Sequence, residues 1–509
     1  MKICYIANGA QYWADVTLKF KDHGSNIVMW VGPHYFDAFA QKHHPDAKVY
    51  PSYEFSRGAS LKEPSSQGAI PQKILLNPEF LALKDQVMKV MDRQDDFGCY
   101  RRLEREAVFY SLVNYFYGEL KTSGVELVMA PEGPHDPITA VIYGIAGLMG
   151  LKRVHFDISM VAPVMVMRRG FDGKAIKLKK PASKFNARYL QIIEAYIDAI
   201  AEPKKVDEAE PLYMKVQKSA DSFVLNKIYA NTKGTGVGGL LSYIRRKTSK
   251  LFKAYYTVRD IDFLDKPLTP TFKQALEYRK NRIELKKKLK QYYQANVSAE
   301  VPTDGEYVLF PLHYEPERTT NPDGCRYYNQ IDALLALRDY VPHDVPILVK
   351  EHYSQFTAKL HGHRGKSLYF YNLIRQLPNV YLVPLNANTR QLIENAAFTA
   401  SITGTSCFEA AVLGRKAVAF GQTWFTGCPN IATFDALPKY KTFTQQKVAQ
   451  LADIKVYFKG WIADYALPGY VSPTNESYFF KKFEDAADML DNDMLQNELL
   501  QALKSEGLI

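Results

Sequence analysis

The sequence predicts an α/β protein of two doubly wound units that face a cleft, with a helical basic insertion between them and helices at the end. Short apolar runs typical of buried parallel strands alternate with helical patterns over residues 1–165. The same alternation restarts near residue 301 and continues to about residue 440. Because ligands bind at the carboxyl ends of the strands in such sheets, two units of this kind predict a shared binding cleft.

The first unit is predicted from four apolar runs that end at turns or polar residues. Helical periodicity lies between them at 104–121 and 137–150. The four predicted strands are 2–8, 26–32, 126–132 and 152–158.

The second unit repeats this pattern. Three helices are expected, at 330–340, 389–395 and 406–413. The predicted strands are 306–314, 346–352, 379–385, 398–404 and 416–421. Four segments follow from this division: an N-terminal unit, a basic insertion or linker, a C-terminal unit and terminal helices, at 1–165, 166–300, 301–440 and 441–509.

Composition excludes several classes of protein. The 509 residues are 47% hydrophobic and 23% charged, which is typical of a globular protein and not of a disordered chain, a fibre or a coiled-coil rod. No apolar stretch reaches the roughly 20 residues of a membrane-spanning helix, and the first residues lack the apolar core of a signal peptide. We therefore expect a cytoplasmic chain. The five cysteines form no CxxC pair, so neither a disulfide framework nor a metal site is expected.

The positive charge is concentrated in one segment. Residues 241–290 hold 15 basic and 5 acidic residues, so +10 of the net charge of +11 lies there. Such a patch fits an anionic membrane surface, an acidic substrate or simply a solvated helix face. Nucleic acid is not expected as the partner, because no nucleic-acid module is present. A glycine-rich stretch at 234–239 is interpreted as a hinge, since no strand clearly precedes it.

The stretch 401–421 contains the first candidate binding motif. A strand ends at Gly404, and Thr405 and Ser406 then open a helix whose free N–H groups and hydroxyls suit a phosphate. Glu409 follows one turn later, where its carboxylate suits a ribose diol. The alternative is a purely structural capping box, with Ser406 as the N-cap and Glu409 closing it.

Two further strand ends carry polar side chains. Lys350 and His352 alternate at the end of the predicted strand 346–352, so both point to one side, where two cations would neutralise a phosphate. The alternative is a structural ion pair with Glu351. The loop 310–324 concentrates charged and polar groups, among them His313 and Arg318, directly after a strand, which is typical of a binding loop.

The first unit offers one candidate for catalysis. Glu132 ends the predicted strand 126–132 at the edge that faces the cleft, which suits a nucleophile or general base, and His135 is positioned to assist as a donor. Asp136 and Pro137 are expected to begin the next helix as its N-cap and first residue.

These motifs resemble a known family. The stretches FPLHYEPERTTNPDG, VKEH, LPNVYLVP and SITGTSCFEAAVLGRKAVAFG, in that order over about residues 305–425, are similar to the bacterial capsule polysaccharide biosynthesis proteins, which include β-Kdo transferases. The stretch that begins APEGPHDP resembles the family's first-domain motif more loosely. The resemblance implies a GT-B fold with two Rossmann-like domains, a glycosyltransferase activity and a nucleotide-activated donor, CMP-Kdo first among them, with no bound cofactor.

The resemblance also implies residue roles. His352 would contact the donor phosphate or cytidine, Thr405 and Ser406 the phosphate, and Glu409 the ribose, while Glu132 would be the catalytic carboxylate. This chain has Tyr353 where the family has proline after the histidine, so a UDP- or GDP-sugar remains an alternative donor. A sugar-nucleotide epimerase and a non-catalytic capsule assembly partner remain alternative functions. The expected acceptor is a surface glycan or a lipid-linked molecule, with the basic patch holding the enzyme at the inner membrane.

Overall fold

A computed structural model gives the fold. It describes residues 1–61, 69–95, 101–171, 173–179, 183–202, 262–263, 266–267, 272–298, 301–357 and 360–509. The glycine-rich stretch 234–239 and the first part of the basic patch lie outside these residues.

The first sheet has seven strands in the order β15-β6-β5-β4-β1-β2-β3. The strands from β3 to β5 are parallel, whereas β6 and β15 each pair antiparallel with their neighbours. The strand bounds are β1 Lys2–Ile6, β2 Asn26–Gly32, β3 Lys48–Pro51, β4 Leu127–Met129, β5 Lys152–Ile158, β6 Val164–Arg168 and β15 Ala466–Pro468.

The second sheet has six strands, all parallel, in the order β11-β10-β9-β12-β13-β14. Numbered within the domain this is 3-2-1-4-5-6, the Rossmann order. The strands are β9 Val308–Pro311, β10 Ile347–Lys350, β11 Val380–Leu382, β12 Phe398–Ser401, β13 Lys416–Ala419 and β14 Ile431–Thr433. A small hairpin, β7 Asp262–Phe263 and β8 Lys266–Pro267, lies between the two sheets in the sequence. The two doubly wound domains confirm the predicted fold class.

Helices cover the faces of both sheets. Those of the first half are Gln11–Val16, Asp37–His43, Ser52–Phe55, Gln72–Leu75, Pro78–Gln94, Arg102–Thr122, Pro137–Leu148 and Asn186–Ala201. Those of the second half are Phe272–Ala295, Gln330–Tyr340, Leu368–Gln376, Thr389–Asn395, Thr405–Val412, Tyr440–Gln445, Leu451–Asp464, Pro473–Lys482, Ala486–Met489 and Asn492–Ser505. The pattern of residues 485–503 is typical of a single helix, whereas the structure has two there, Ala486–Met489 and Asn492–Ser505.

Local sequence explains several of these elements. The strand β2 has exactly the predicted bounds, because its apolar run is buried on both faces of the sheet. The helix Pro137–Leu148 begins as predicted at Asp136, whose backbone N–H donates to the Thr139 hydroxyl at 3.1 Å. Proline at the first helical position adds a favourable dihedral angle.

The last segment belongs structurally to the first domain. The prediction of 441–509 as terminal helices omits β15, which pairs with β6 through Ala466 and Val166. Side chains of the last helix, including Leu495, Leu499 and Leu503, are fully buried in the core of the first sheet. The chain thus returns to its first domain after completing the second.

Candidate functional site

A cleft of about 920 Å³ lies between the two domains. Its walls include residues that follow β4 and β5 of the first sheet and β9, β12 and β13 of the second. These are the carboxyl ends of parallel strands, where doubly wound sheets bind ligands. Glu132, Arg318 and Thr405 are the sequence-predicted residues among its lining.

Arg318 joins the two domains inside this cleft. Its Nη1 donates to the carboxylate of Glu132 at 3.2 Å, and its Nε lies 3.6 Å from Asp323. Burial opposes the charge of Arg318, but Asp323, Glu132, Asp157 and Glu317 outweigh it and raise its pKa. The guanidinium therefore stays charged and holds the candidate catalytic carboxylate against the second domain.

Three carboxyl groups of the cleft were missed by the sequence analysis. Burial raises the pKa of Glu317 to about 7 and that of Asp323 to about 6. Burial also opposes the charge of Asp157, yet the neighbouring guanidinium groups of Arg168 and Arg318 outweigh it and lower its pKa. The cleft thus holds carboxyl groups that titrate near neutral pH beside one that stays ionised. The sequence offers only weak signals for these groups. Asp157 lies near the end of an apolar run, and Glu317 and Asp323 lie in the polar loop 310–324.

A second arginine, Arg168, also connects the two domains. Arg168 lies at the end of β6 and is 2% exposed. It forms an ion pair with Asp157, and its Nη2 donates to the carbonyl oxygen of Thr423 in the second domain at 2.6 Å. Thr423 lines the cleft, so this contact fixes part of its wall.

The helix Thr405–Val412 begins at the cleft, but not with the predicted cap. Gly404 is the N-cap and has no side chain to bond. A Cβ at this position would lie 2.6 Å from the Ser401 hydroxyl, so the close approach of the two segments requires glycine. The Thr405 hydroxyl donates to Glu409 at 3.4 Å, and the alternative capping box through Ser406 is not formed. Burial raises the pKa of Glu409. Ser406 and Glu409 lie outside the cleft lining, and their contact with a donor stays a prediction.

His313 ties together the two strands at which the second sheet reverses its order. It follows β9, and its Nε2 accepts the backbone N–H of Thr403, just after β12, at 3.2 Å, with the Ser401 hydroxyl at 3.1 Å. Burial lowers the pKa of His313 to about 3, so the ring is neutral. The structure therefore places this histidine beneath the cleft, where it fixes the loop before the helix Thr405–Val412.

Lys350 and His352 have structural contacts. The Lys350 ammonium donates to the carbonyl oxygen of Leu385 at 3.2 Å. His352 accepts the backbone N–H of Ser354 through Nδ1, and burial lowers its pKa to about 4. The expected ion pair of Glu351 forms with Lys366 instead, at 2.7 Å and fully buried. Neither Lys350 nor His352 is part of the cleft lining, and their donor roles stay predictions.

His135 lies at the start of the helix Pro137–Leu148. Its Nδ1 is 3.0 Å from the carbonyl oxygen of Gly133, and Arg93 donates to its backbone carbonyl. His135 also falls outside the cleft lining, and its role as a donor stays a prediction. Among the residues that the structure describes, no group of three metal-ligating side chains is found, and no helix is apolar enough over sufficient length to cross a membrane.

Comparisons with known proteins yield distant structural similarity only. No protein-family model matches this chain. No curated protein matches it in sequence.

Among solved structures, the chain is similar to two KpsC proteins of Thermosulfurimonas dismutans. The β-Kdo 2,7 transferase is 12% identical, with 70% of this chain and 80% of that chain covered and a TM-score of 0.24. The β-Kdo 2,4 transferase is 11% identical, with 69% and 84% covered and a TM-score of 0.26. The UDP-GlcNAc 2-epimerase of Neisseria meningitidis, bound to UDP-GlcNAc, is 11% identical, with 98% and 100% covered and a TM-score of 0.20.

Proposed function

We propose that this chain is a GT-B glycosyltransferase that transfers a sugar from a nucleotide-activated donor to an acceptor hydroxyl. The observation that carries the proposal is the ion pair of Arg318 and Glu132, which brings a carboxylate of the first domain to the strand ends of the second. Sugar transfer needs a carboxylate beside the anomeric carbon, because positive charge develops there in the transition state. Glu132 is the residue that we propose for this role.

The donor phosphate is proposed to lie at the start of the helix Thr405–Val412. Backbone N–H groups at a helix N-terminus stabilise negative charge, and the exposed Thr405 hydroxyl would add a donor by exchanging its bond to Glu409 for one to the phosphate. The Arg318 guanidinium lies in the same cleft and would stabilise the departing phosphate. Ser406 and Glu409 would complete the contacts to phosphate and ribose, and Lys350, His352 and His313 would support this side of the cleft.

The donor that we propose is CMP-activated Kdo or a related ulosonic acid. Its support is the order of the motifs in residues 305–425 and their resemblance to the capsule polysaccharide proteins. The His352-Tyr353 pair, in place of histidine and proline, keeps a UDP- or GDP-sugar as the alternative donor.

The proposed transfer can follow an inverting or a retaining course. In an inverting transfer, Glu132 takes the proton of the acceptor hydroxyl, whose oxygen bonds to the anomeric carbon as the nucleotide phosphate leaves with the bonding electron pair. In a retaining transfer, the Glu132 carboxylate bonds to the anomeric carbon as the nucleotide phosphate leaves with the bonding electron pair; the acceptor oxygen then displaces Glu132, and the departed phosphate takes the acceptor proton. His135 is proposed to assist as a proton donor. The chain's own groups supply this chemistry, and no cofactor is proposed.

The acceptor is proposed to be a surface glycan or a glycolipid, met in the cytoplasm at the inner membrane. The basic patch 241–290 would hold the enzyme against anionic lipids. Charge-reversing variants of its lysines should abolish co-sedimentation with anionic vesicles, and unchanged co-sedimentation would contradict this role.

A donor screen tests the proposal. Thermal unfolding is measured with CMP, UDP and GDP for the wild type, Thr405→Val and His352→Ala. Thr389→Val is the matched control, because Thr389 also opens a helix of the second domain but lies outside the cleft lining. We expect CMP alone to raise the Tm of the wild type and of the control, to raise it less in Thr405→Val, and to lose its effect in His352→Ala.

The other outcomes of this screen would change the proposed donor or the proposed function. Stabilisation by UDP or GDP alone would keep the transferase and discard CMP-Kdo. Conversion of the sugar nucleotide without an acceptor would identify an epimerase. If no nucleotide shifts the Tm and Glu132→Ala leaves capsule assembly intact in cells, the chain is a non-catalytic partner.

A further inference from the structure

The cleft has two ends of opposite chemistry. Its inner end, beside Arg318, contains the four carboxyl groups Glu132, Asp157, Glu317 and Asp323. Its outer arm lies between the helix Asn186–Ala201, the residues after β13 and the segment 471–483. The charged residues that line this outer arm are all cations, Arg188, Lys481 and Lys482.

The wall between the two ends is apolar and aromatic. Ile192 and Tyr196 come from the helix Asn186–Ala201, and Trp424 and Phe425 follow β13. Trp424 is 8% exposed and packs with its ring centroid 5.3 Å from that of Phe408, so its orientation is fixed by the core. A fixed aromatic wall in an open cleft suits the apolar face of a sugar ring, which buries C–H groups and leaves hydroxyls at its edge.

Lys482 is placed to bind an anion at this wall. Its ammonium lies 5.3 Å from the ring centroid of Tyr478 and 5.0 Å from that of Phe483, and it donates to the carbonyl oxygen of Val161 at 2.9 Å. That contact uses one of the three N–H donors of an ammonium group. Partial desolvation by these neighbours lowers the pKa of Lys482 to about 8, while its side chain stays exposed and accessible to an anionic ligand.

Arg188 is different from this lysine, because its charge is already compensated. Its guanidinium donates to both carboxylate oxygens of Asp485, at 2.6 and 3.1 Å. Lys481 is exposed and precedes Lys482 at the rim of the arm. The positive charge available to a ligand therefore comes from Lys481 and Lys482.

We propose that the outer arm is an acceptor subsite for an acidic sugar residue, with its ring against the wall at Tyr196 and Trp424 and its carboxylate or phosphate on Lys482 and Lys481. The inference rests on the proposed function, because it assigns the acceptor of that reaction. It places the anionic group of the acceptor on cations and not on the carboxyl groups around Arg318, where like charges would repel it.

Direct binding tests the subsite. A tetrasaccharide of alternating glucuronic acid and N-acetylglucosamine, its carboxyl-reduced neutral counterpart and soluble dihexanoyl phosphatidate are titrated into the full chain by calorimetry. The double variant Lys481→Met/Lys482→Met removes the two charges, and Lys482→Arg keeps one of them. Lys459→Met, an exposed lysine of the helix Leu451–Asp464 outside the cleft lining, is the control.

We expect the acidic tetrasaccharide to bind the wild type and Lys459→Met equally, and the double variant at least about tenfold more weakly, as for a lost charge-assisted hydrogen bond. Lys482→Arg should retain most of the affinity. Equal binding of the acidic and neutral tetrasaccharides, or unchanged binding by the double variant, would overturn the proposal. Lysine-dependent binding of phosphatidate alone would also overturn it and assign the arm to a lipid.

Nucleotide binding separates the two proposals. If a nucleotide raises the Tm of both the wild type and the double variant, the variant is folded and its donor site is intact. Weakened tetrasaccharide binding then reports on the subsite alone. If no nucleotide binds but the acidic tetrasaccharide does so through the two lysines, the subsite stands and the proposed transferase fails.

Discussion

Glu317 illustrates how burial in the cleft changes a single carboxyl group. Its pKa rises from 4.5 to about 7, chiefly because burial penalises the charged form, with the nearby carboxylates of Glu315 and Asp323 adding to the rise. Between these two pH values the folded chain binds a proton that the unfolded chain has lost. Glu317 therefore reduces stability progressively as the pH rises through this window.

The variant Glu317→Gln should remove this loss, because glutamine is neutral at every pH. Relative to the wild type, the Tm of the variant should increase as the pH rises from 5 to 7.5, with little difference near pH 4.5. Thermal unfolding followed by circular dichroism at half-unit steps measures it. Parallel curves for the two proteins across this range would contradict the assigned burial effect.

The sequence singled out two charged residues of the cleft but not the contact between them. Glu132 and Arg318 were both singled out, since each follows an apolar strand in a polar loop. Their ion pair joins positions 186 residues apart, and no local pattern records such a contact. No local pattern records the partners of Lys350 and His352 either, and their donor roles stay predictions.

At the scale of one element, the helix Phe272–Ala295 shows that two neighbouring lysines can differ in burial and structural role. This helix ends the basic patch, and its buried face includes Leu289 and Tyr293, which pack into the core of the second domain. Lys286 lies on the same face and is 4% exposed, and its ammonium donates to the carbonyl oxygens of Thr357 and Leu360, each at 2.9 Å. Lys287 is exposed.

Lys286→Met should therefore lower the free energy of unfolding by about 1–3 kcal/mol, since two buried carbonyl groups lose a charged donor. Lys287→Met, one residue along the same helix, is the matched control and should change it by less than about 0.5 kcal/mol. Urea unfolding monitored by tryptophan fluorescence compares them. Equal effects of the two substitutions would show that this helix does not anchor on the second domain through Lys286.

At the scale of the whole molecule, the helix Pro78–Gln94 of the first domain packs against the loop 315–328 of the second. The Lys89 ammonium is 3.1 Å from the carboxylate of Glu315 and donates to the carbonyl oxygen of Tyr328 at 2.6 Å. Arg93 donates to the carbonyl oxygen of Asn321 at 3.0 Å. Because this loop also carries Arg318, these contacts fix the position of the candidate site between the domains.

Lys89→Met should be strongly destabilising, because the Glu315 carboxylate is only 3% exposed and would lose its cationic partner. A loss of about 3 kcal/mol is expected for such a buried charge. Lys84→Met is the control, since Lys84 lies on the same helix but pairs with Glu106 within the first domain. Differential scanning calorimetry should show a lower Tm, or two separated transitions, for Lys89→Met alone. A calorimetric profile like that of Lys84→Met would show that the two domains are coupled by other contacts.

The sequence by itself determined the two doubly wound units and the position of their strand ends. Buried parallel strands are short apolar runs, and amphipathic helices repeat every 3.6 residues, so both are recorded locally. Thus the strands Asn26–Gly32 and Lys152–Ile158 and the helices Gln330–Tyr340 and Thr389–Asn395 have the bounds that the pattern predicts.

Only the tertiary structure decided which residues meet. Ala466 pairs with Val166 across 300 positions, Arg168 donates to Thr423, and Lys482 donates to Val161 across 321 positions. The physical reason is that pairing, burial and the resulting pKa values depend on neighbours in space. The sequence gives the identity of a lysine or a glutamate, but its environment sets its pKa, which differs between a solvated side chain, a buried ion pair and a carboxyl group in a cleft.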